Sequence, residues 1–288
     1  MSSALVAAVE AAAGARAESA EPVPGGDVNR ALRIGLAGGR RLFVKYRQDA
    51  PAGMYRAEAD GLRWLAEAGS LRTPEVVAVA DAAPPRFLAL EWIDRGRAGA
   101  GHDEALGRGL AALHRAGAPS FGLAEDNFIG SLPQPNAPLE TWPDFYGARR
   151  IEPLARRAVD AGALPRRAIA QVERLRTRLA DLSGPREHPA RLHGDLWGGN
   201  ALADASGAPV LVDPAVYGGH REIDLAMMRL FGGFSPAVFA AYAEAHPLAA
   251  GHEDRVELYQ LYPVLVHVCL FGGGYARSAE RILEAYTG

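Results

Sequence analysis

Residues 192–213 constrain this chain more than any other stretch. Leu192-His193-Gly194-Asp195-Leu196-Trp197-Gly198-Gly199-Asn200 sets a carboxylate and, five positions later, a carboxamide in a glycine-rich loop. Thirteen residues past Asn200, Asp213 ends the apolar run Val210-Leu211-Val212. From Arg191 to Ala215 the pattern is two short apolar runs around a polar loop, which is incompatible with a continuous helix and predicts short strands. Three oxygen-bearing side chains are thereby committed to loop ends.

Those residue types suit phosphoryl transfer. That chemistry is mainly positioning and charge neutralisation, so it needs hard oxygen ligands for Mg²⁺ and a base that orients and finally accepts a hydroxyl proton. The spacing matches the catalytic loop of kinases, with Asp195 as base, Asn200 holding metal and Asp213 bridging Mg²⁺ to nucleotide phosphates. Taken singly, an Asp-x4-Asn pair more often caps a turn. Joined to His193-Gly194 and to the strand-ending Asp213, it points to transfer. His193 is read as orienting the loop, since no second His or Cys stands at ligand spacing. Asp224, in Arg221-Glu222-Ile223-Asp224, is expected to face inward and tie down the loop backbone; a helix-start aspartate is the plainer alternative.

The amino-terminal part supplies a matching half. The chain has 31 basic residues, and Lys45 is the one lysine among them. An ammonium is a compact point charge that a planar guanidinium does not replace everywhere. Lys45 closes the strand Leu42-Phe43-Val44-Lys45, where kinases place the lysine that grips the α- and β-phosphates. Glu58, thirteen residues on and on a predicted helix, is positioned to pair with it. Gly25 and Gly26 lie in a short glycine-rich loop whose amides could cover phosphates. Glu91, Trp92 and Ile93 end the last strand of this part, and their backbone is the expected adenine contact.

The elements predict an α+β chain. Strands are expected at 31–36, 41–46, 75–79 and 86–91, with a helix over 55–68 inserted after the second. After the polar, glycine-rich patch Asp94–Gly101, helices are expected at 103–116, 165–182, 221–231, 235–245 and 253–270, with another at the end. This reads as a two-lobed, protein-kinase-like fold: a β-rich nucleotide lobe over 1–93 and a mainly helical lobe over 94–288 that carries the catalytic loop and substrate site.

Other classes recede. A net charge of −3 gives no reason to expect nucleic-acid binding. The single Cys269 rules out an internal disulfide and sits in an apolar run, as a buried inert thiol would. No apolar stretch is long enough to span a membrane, and residues 1–13 lack a basic leader and read as a short helix, so a cytoplasmic location is expected. Gly-x4-Gly-Lys-Ser/Thr and Gly-x-Gly-x-x-Gly are absent. Eight residues between Asp213 and Glu222 leave no room for a long activation segment, which argues against protein substrates.

The run 192–200, Asp213-Pro214-Ala215-Val216-Tyr217-Gly218-Gly219-His220-Arg221-Glu222-Ile223-Asp224 and Leu230-Phe231-Gly232-Gly233-Phe234 closely resemble the fructosamine kinase family, within the aminoglycoside phosphotransferase and protein-kinase-like superfamily. Asp126-Asn127-Phe128-Ile129-Gly130 and Trp142-Pro143-Asp144-Phe145-Tyr146 resemble it too. The resemblance implies ATP- and Mg²⁺-dependent phosphorylation of the 3-hydroxyl of ketosamines such as fructosamine or ribulosamine adducts, a deglycating activity. On that analogy Asp195 is the base, Asn200 and Asp213 bind Mg²⁺, Lys45 with Glu58 anchors the phosphates, and Trp197 lines the sugar site. Two alternatives stay open: a small-molecule kinase of the aminoglycoside or choline kinase type, and a non-catalytic pseudokinase.

Overall fold

The computed structural model describes residues 3–24 and 29–288. They form two compact units: Met1–His102 together with Asn200–Pro214, and Asp103–Gly199 together with Ala215–Gly288. The sequence reading draws a single boundary after residue 93. In the structure the first unit runs on to His102 and also takes in a later hairpin.

The first unit begins with α1 (Ser3–Ala13), β1 (Ala17–Val23), β2 (Arg30–Leu36), β3 (Arg41–Tyr46), α2 (Met54–Ala66), β4 (Val76–Ala80) and β5 (Phe87–Glu91). The strands make one antiparallel sheet in the order β1-β2-β3-β5-β4. Strand side chains alternate between faces. Leu32, Ile34 and Leu36 of β2, Leu42 and Val44 of β3, and Phe87 and Ala89 of β5 cluster with Leu5 and Val9 of α1. Leu88 and Leu90 turn the other way and pack with Tyr55, Ala59 and Leu62 of α2. Each buried leucine stabilises this unit by about 1.5–3 kcal/mol. The alternation also decides a functional question: if Leu42 and Val44 face α1, then Phe43 and Lys45 face α2.

Strand β1 was not expected. Its sequence, Ala-Glu-Ser-Ala-Glu-Pro-Val, has no apolar alternation because it is an edge strand that pairs with β2 alone. Pro22, which has no N–H to donate, is tolerated at such an edge.

The second unit holds α3 (His102–Ala116), the hairpin β6 (Asn127–Ile129) and β7 (Leu132–Gln134), α4 (Trp142–Phe145), a π-helical turn over Tyr146–Ile151, α5 (Glu152–Asp160), α6 (Arg167–Leu182) and β8 (Ala190–Leu192). The helical run from 142 to 160 escaped the sequence reading. Pro143, Gly147 and Pro153 interrupt its pattern, and the π-helical turn shifts the register of its apolar face. The chain then makes the hairpin β9 (Ala201–Ala203) and β10 (Pro209–Leu211), which belongs to the first unit. It returns through β11 (Tyr217–Gly219), antiparallel to β8, and continues as α7 (Glu222–Phe231), α8 (Pro236–Ala245), α9 (Val256–Phe271) and α10 (Gly274–Thr287).

Helix α9 is apolar on nearly every side, as a helix through the middle of a core must be. Its Leu258, Leu261, Val264 and Leu265 are buried with Leu175 and Leu179 of α6 and Ile282 and Leu283 of α10. Cys269 is half-buried on this helix; its thiol donates to the Leu154 carbonyl at 3.4 Å, and burial pushes its pKa up. Among the described residues no helix is long and apolar enough to cross a membrane.

Candidate active site

The first unit assembles an acidic–basic cluster around Lys45. Strand β3 points Lys45 to the α2 side, and on α2 the stripe Tyr55, Ala59, Leu62 faces the sheet, which puts Glu58 on the same side. Lys45 is buried, and its ammonium donates to Glu58 Oε1 at 2.7 Å and also to Asp213 Oδ1. Burial alone would lower the Lys45 pKa, but the carboxylates of Asp213 and Glu58 outweigh it and raise it well above the ordinary value. Lys45 is therefore charged at any working pH. Burial pushes the Glu58 carboxyl up, Lys45 opposes that, and Asp213 adds to it.

Asn200 and Asp213 stand at the open end of the β9–β10 hairpin. The Val212 N–H donates to the Asn200 carbonyl at 3.0 Å, and Asn200 Nδ2 donates to the Asp213 carbonyl at 3.4 Å. The hairpin is fastened within its unit by Leu211 N–H to Arg72 O at 2.8 Å and by Gly96 N–H to Ala203 O at 2.9 Å. Arg72 also donates to Asp204 at 2.9 Å and pairs with Glu91. Asp213 is the one non-glycine among the described residues with a left-handed backbone, at φ 56. That conformation costs about 1–3 kcal/mol and gathers at functional sites. Asparagine and aspartate offer hard oxygen donors, and two such side chains with the remaining positions left to water and phosphate oxygens are what Mg²⁺ takes. The donor set fits the metal.

The second unit positions the loop that carries Asp195. Strand β8 pairs Leu192 with Tyr217 of β11, and the Ala215 N–H donates to the His193 carbonyl at 2.9 Å. Gly194 has φ 81, and a β-carbon there would fall 2.0 Å from the Ala215 carbonyl oxygen, so only glycine fits. Asp224 is wholly buried. Its Oδ2 accepts the His193 N–H at 2.8 Å and its Oδ1 the Gly194 N–H at 2.9 Å. Burial would raise the Asp224 carboxyl, but the bond from His114 and the charges of His114 and His193, with the Gly194 N–H, hold it below the usual range. His114 Nε2 lies 3.1 Å from Asp224, and its Nδ1 lies 2.8 Å from the Tyr242 hydroxyl. His193 itself is buried, with its Nδ1 3.3 Å from the Asp195 N–H.

The glycine pair of this loop has steric causes as well. Gly198 N–H donates to Gly232 O at 3.2 Å, and a β-carbon on Gly198 would lie 2.9 Å from the Gly233 Cα. A β-carbon on Gly199 would lie 2.2 Å from the Trp197 ring. The indole therefore folds over Gly199 and stays 43% exposed, a large apolar face turned to solvent.

The remaining expectations fare differently. Gly25 and Gly26 lie outside the described residues. The Glu91 N–H donates to Glu75 O at 2.8 Å and the Trp92 N–H to Arg41 O at 3.1 Å, so both are engaged at the end of β5; Ile93 is buried. The Glu91 side chain is held by Arg72. Sequence reasoning missed Arg72, Asp204, His114 and Tyr242, which act through residues far away in the chain; no local spacing marks them.

A protein-family model described as fructosamine kinase matches residues 1–287. A Thermus thermophilus protein named "Probable ketoamine kinase" is 40% identical over 277 residues, covering 95% of this chain and 96% of its own. The chloroplastic protein-ribulosamine 3-kinase of Arabidopsis thaliana is 35% identical over 270 residues, 92% of this chain and 81% of that one. A Thermobifida fusca crystal structure bearing the name "putative fructosamine-3-kinase" superposes with a TM-score of 0.90 at 42% identity and 99% coverage of both chains. The fold reaches further: an aminoglycoside phosphotransferase, 17% identical, superposes with a TM-score of 0.63 over 99% of this chain and 100% of its own.

Proposed function

Because the chain belongs to the fructosamine kinase family, we propose that it transfers the γ-phosphoryl group of ATP, with Mg²⁺, to the 3-hydroxyl of a ketosamine sugar. The observation that carries this reading is the Lys45 ammonium held between Glu58 and Asp213, with Asp213 bonded in turn to Asn200. Lys45 would bind the α- and β-phosphates, and Glu58 fixes where it points. Asn200 and Asp213 would hold Mg²⁺, which when bound neutralises charge on the phosphates. The adenine contact is assigned to the backbone of Glu91, Trp92 and Ile93, with Ile93 as the N–H donor because the N–H groups of Glu91 and Trp92 are already engaged.

Asp195 is the base of this reading. The acceptor hydroxyl passes its proton to the Asp195 carboxylate as its oxygen bonds to the γ-phosphorus, and the bond to the bridging oxygen of ADP breaks. The exposed face of Trp197 suits the apolar side of a sugar ring. Nucleotide binding is assigned to residues 1–93 together with the metal-holding Asn200 and Asp213, and the acceptor to the helical remainder, in a cytoplasmic enzyme whose substrate is a free or protein-linked ketosamine.

The test is ATP consumption with Mg²⁺ against fructosamine, ribulosamine, an aminoglycoside, choline and a free hexose. We expect selective turnover of a ketosamine, reduced at least ~100-fold in Asp195→Asn. Turnover of another acceptor alone discards the substrate assignment, and an undiminished Asp195→Asn enzyme discards Asp195 as base.

A further inference from the structure

Arg150 is a fully buried side chain in the second unit, and it carries a charge. It lies on the π-helical turn over Tyr146–Ile151. Its Nη1 donates to the carbonyls of Pro135 at 2.6 Å and Arg149 at 3.1 Å, and its Nη2 donates to Asn136 Oδ1 at 2.6 Å. The guanidinium carbon stands 3.8 Å from the centre of the Tyr217 ring, 4.6 Å from that of Phe145 and 5.6 Å from that of Tyr262. Among the described residues its partners are thus carbonyl and amide oxygens and three aromatic faces, with no carboxylate among them. A buried cation without an acidic partner is costly, and an apolar side chain of the same length would fill the space without that cost.

Two routes lead from this charge to one place. The polar route runs from Asn136, whose Nδ2 donates to Asn127 Oδ1 at 2.8 Å. Asn127 Nδ2 donates to the Val216 carbonyl at 2.7 Å, and Gln134 Nε2 donates to Asn127 Oδ1 at 2.7 Å and to the Ala215 carbonyl at 3.2 Å. Ala215 holds the His193 carbonyl. The aromatic route runs through Tyr217, which pairs with Leu192 and whose ring lies 3.3 Å from the β-carbon position of Gly194. Both end on residues 192–194, directly before Asp195. The third ring, Tyr262, donates its hydroxyl to Gln134. Burial raises that hydroxyl's pKa, Arg150 opposes the rise and the charge of Asp195 adds to it, so both charges act on the same ring.

We infer that Arg150 is a positioning residue: the buried positive charge that holds the His193–Asp195 loop in register for phosphoryl transfer, through the amides of Asn136, Asn127 and Gln134 and the ring of Tyr217. This rests on Asp195 being the base. It concerns kcat rather than nucleotide binding, because Lys45, Asn200 and Asp213 belong to the other compact unit.

The experiment compares Arg150→Met, which keeps length without charge, with Arg150→Lys, which keeps charge without the two-armed fork. Folding is checked by thermal melting. Arg150→Met is expected to lose kcat by about 10-fold or more while its KM for ATP stays within about 2-fold. Arg150→Lys, which keeps the charge but gives up the fork and the flat stacking face, is expected to hold kcat several-fold above that of Arg150→Met. A folded Arg150→Met at wild-type kcat overturns the inference, as does a folded Arg150→Lys no better than a folded Arg150→Met. Should Arg150→Met fail to fold, a folded Arg150→Lys that loses kcat by about 10-fold or more overturns it. Asp195→Asn is assayed beside them: if it stays active, the reading of the loop has failed; if it is dead while a folded Arg150→Met keeps wild-type kcat, only the role of Arg150 has failed.

Discussion

Replacing Lys45 by methionine tests the buried cluster through stability alone, without reference to any substrate. The Lys45 side chain is 6% exposed and that of Glu58 12%, whereas that of Asp213 is 45% exposed, so the Asp213 arm is screened by water and only the Glu58 arm is counted. Removing one partner of a buried pair costs about 3–5 kcal/mol, because the other charge is left unpaired. For a chain of this size that lowers Tm by roughly 6–15 °C. The loss depends on pH. Burial already raises the Glu58 carboxyl above its ordinary value, and Lys45 is the main group holding it down. Without Lys45 the folded state keeps a proton on Glu58 that the unfolded state has released, so the folded state binds more protons and stability falls as pH rises from the ordinary carboxylate range toward the raised value.

The Tm deficit of Lys45→Met relative to wild type is therefore expected to be largest near about pH 8 and to shrink by half or more near about pH 5. Adding Glu58→Gln to Lys45→Met removes the titrating group and is expected to recover most of the deficit at the higher pH. Melting followed by circular dichroism at the two pH values decides it. An equal deficit at both, or a larger one in acid, would refute the claim that Lys45 acts as the buried counter-charge of Glu58.

Three further outcomes follow from the second unit. Gly194→Ala forces a β-carbon against the Ala215 carbonyl at a backbone angle that disfavours alanine; we expect a loss of about 2–4 kcal/mol by denaturant melting, with kcat falling alongside. Asp224→Asn keeps one acceptor oxygen for two buried N–H groups and is expected to cost about 1–3 kcal/mol. Because the Asp224 carboxyl is held low, wild type keeps its contribution above the ordinary carboxylate range and loses it as pH falls through the lowered value, a dependence that melts of Asp224→Asn should lack. Trp197→Ala is expected to raise KM for a ketosamine about 10-fold with KM for ATP unchanged, the scale of one lost aromatic contact; an unchanged ketosamine KM would remove Trp197 from the sugar site.

Much of the fold was legible because its drivers are local. Strands β2, β3, β4 and β5 announce themselves by alternation and by the glycine and proline turns between them, and α2 by its apolar stripe. Where structure depends on a distant partner, legibility ends. Strand β1 is polar along its length and exists because β2 offers it an edge. The run from Trp142 to Asp160 is helical despite two prolines because a π-helical turn re-aims it, and that turn is what brings Arg150 inside.

The candidate site divides along the same line. Lys45, Asp195, Asn200 and Asp213 can be proposed from spacing because their chemistry restricts which residues can stand there. What holds them is chosen by packing across the chain, and packing leaves no motif. Asp224 supports a loop thirty residues away and is in turn supported by His114, 110 residues from it. Arg72 clamps a hairpin through Asp204 at a separation of 132 residues. Asp213 joins both kinds: its place at the end of an apolar run is visible in the sequence, but its left-handed backbone is not. An aspartate is one of the few side chains that tolerates that conformation, and the conformation is sustained by a hairpin whose ends are tied at Asn200 and whose strands are tied at Arg72 and Gly96. The strain and the chemistry thus fall on one residue, and the bonds that sustain the first are the bonds that place the second.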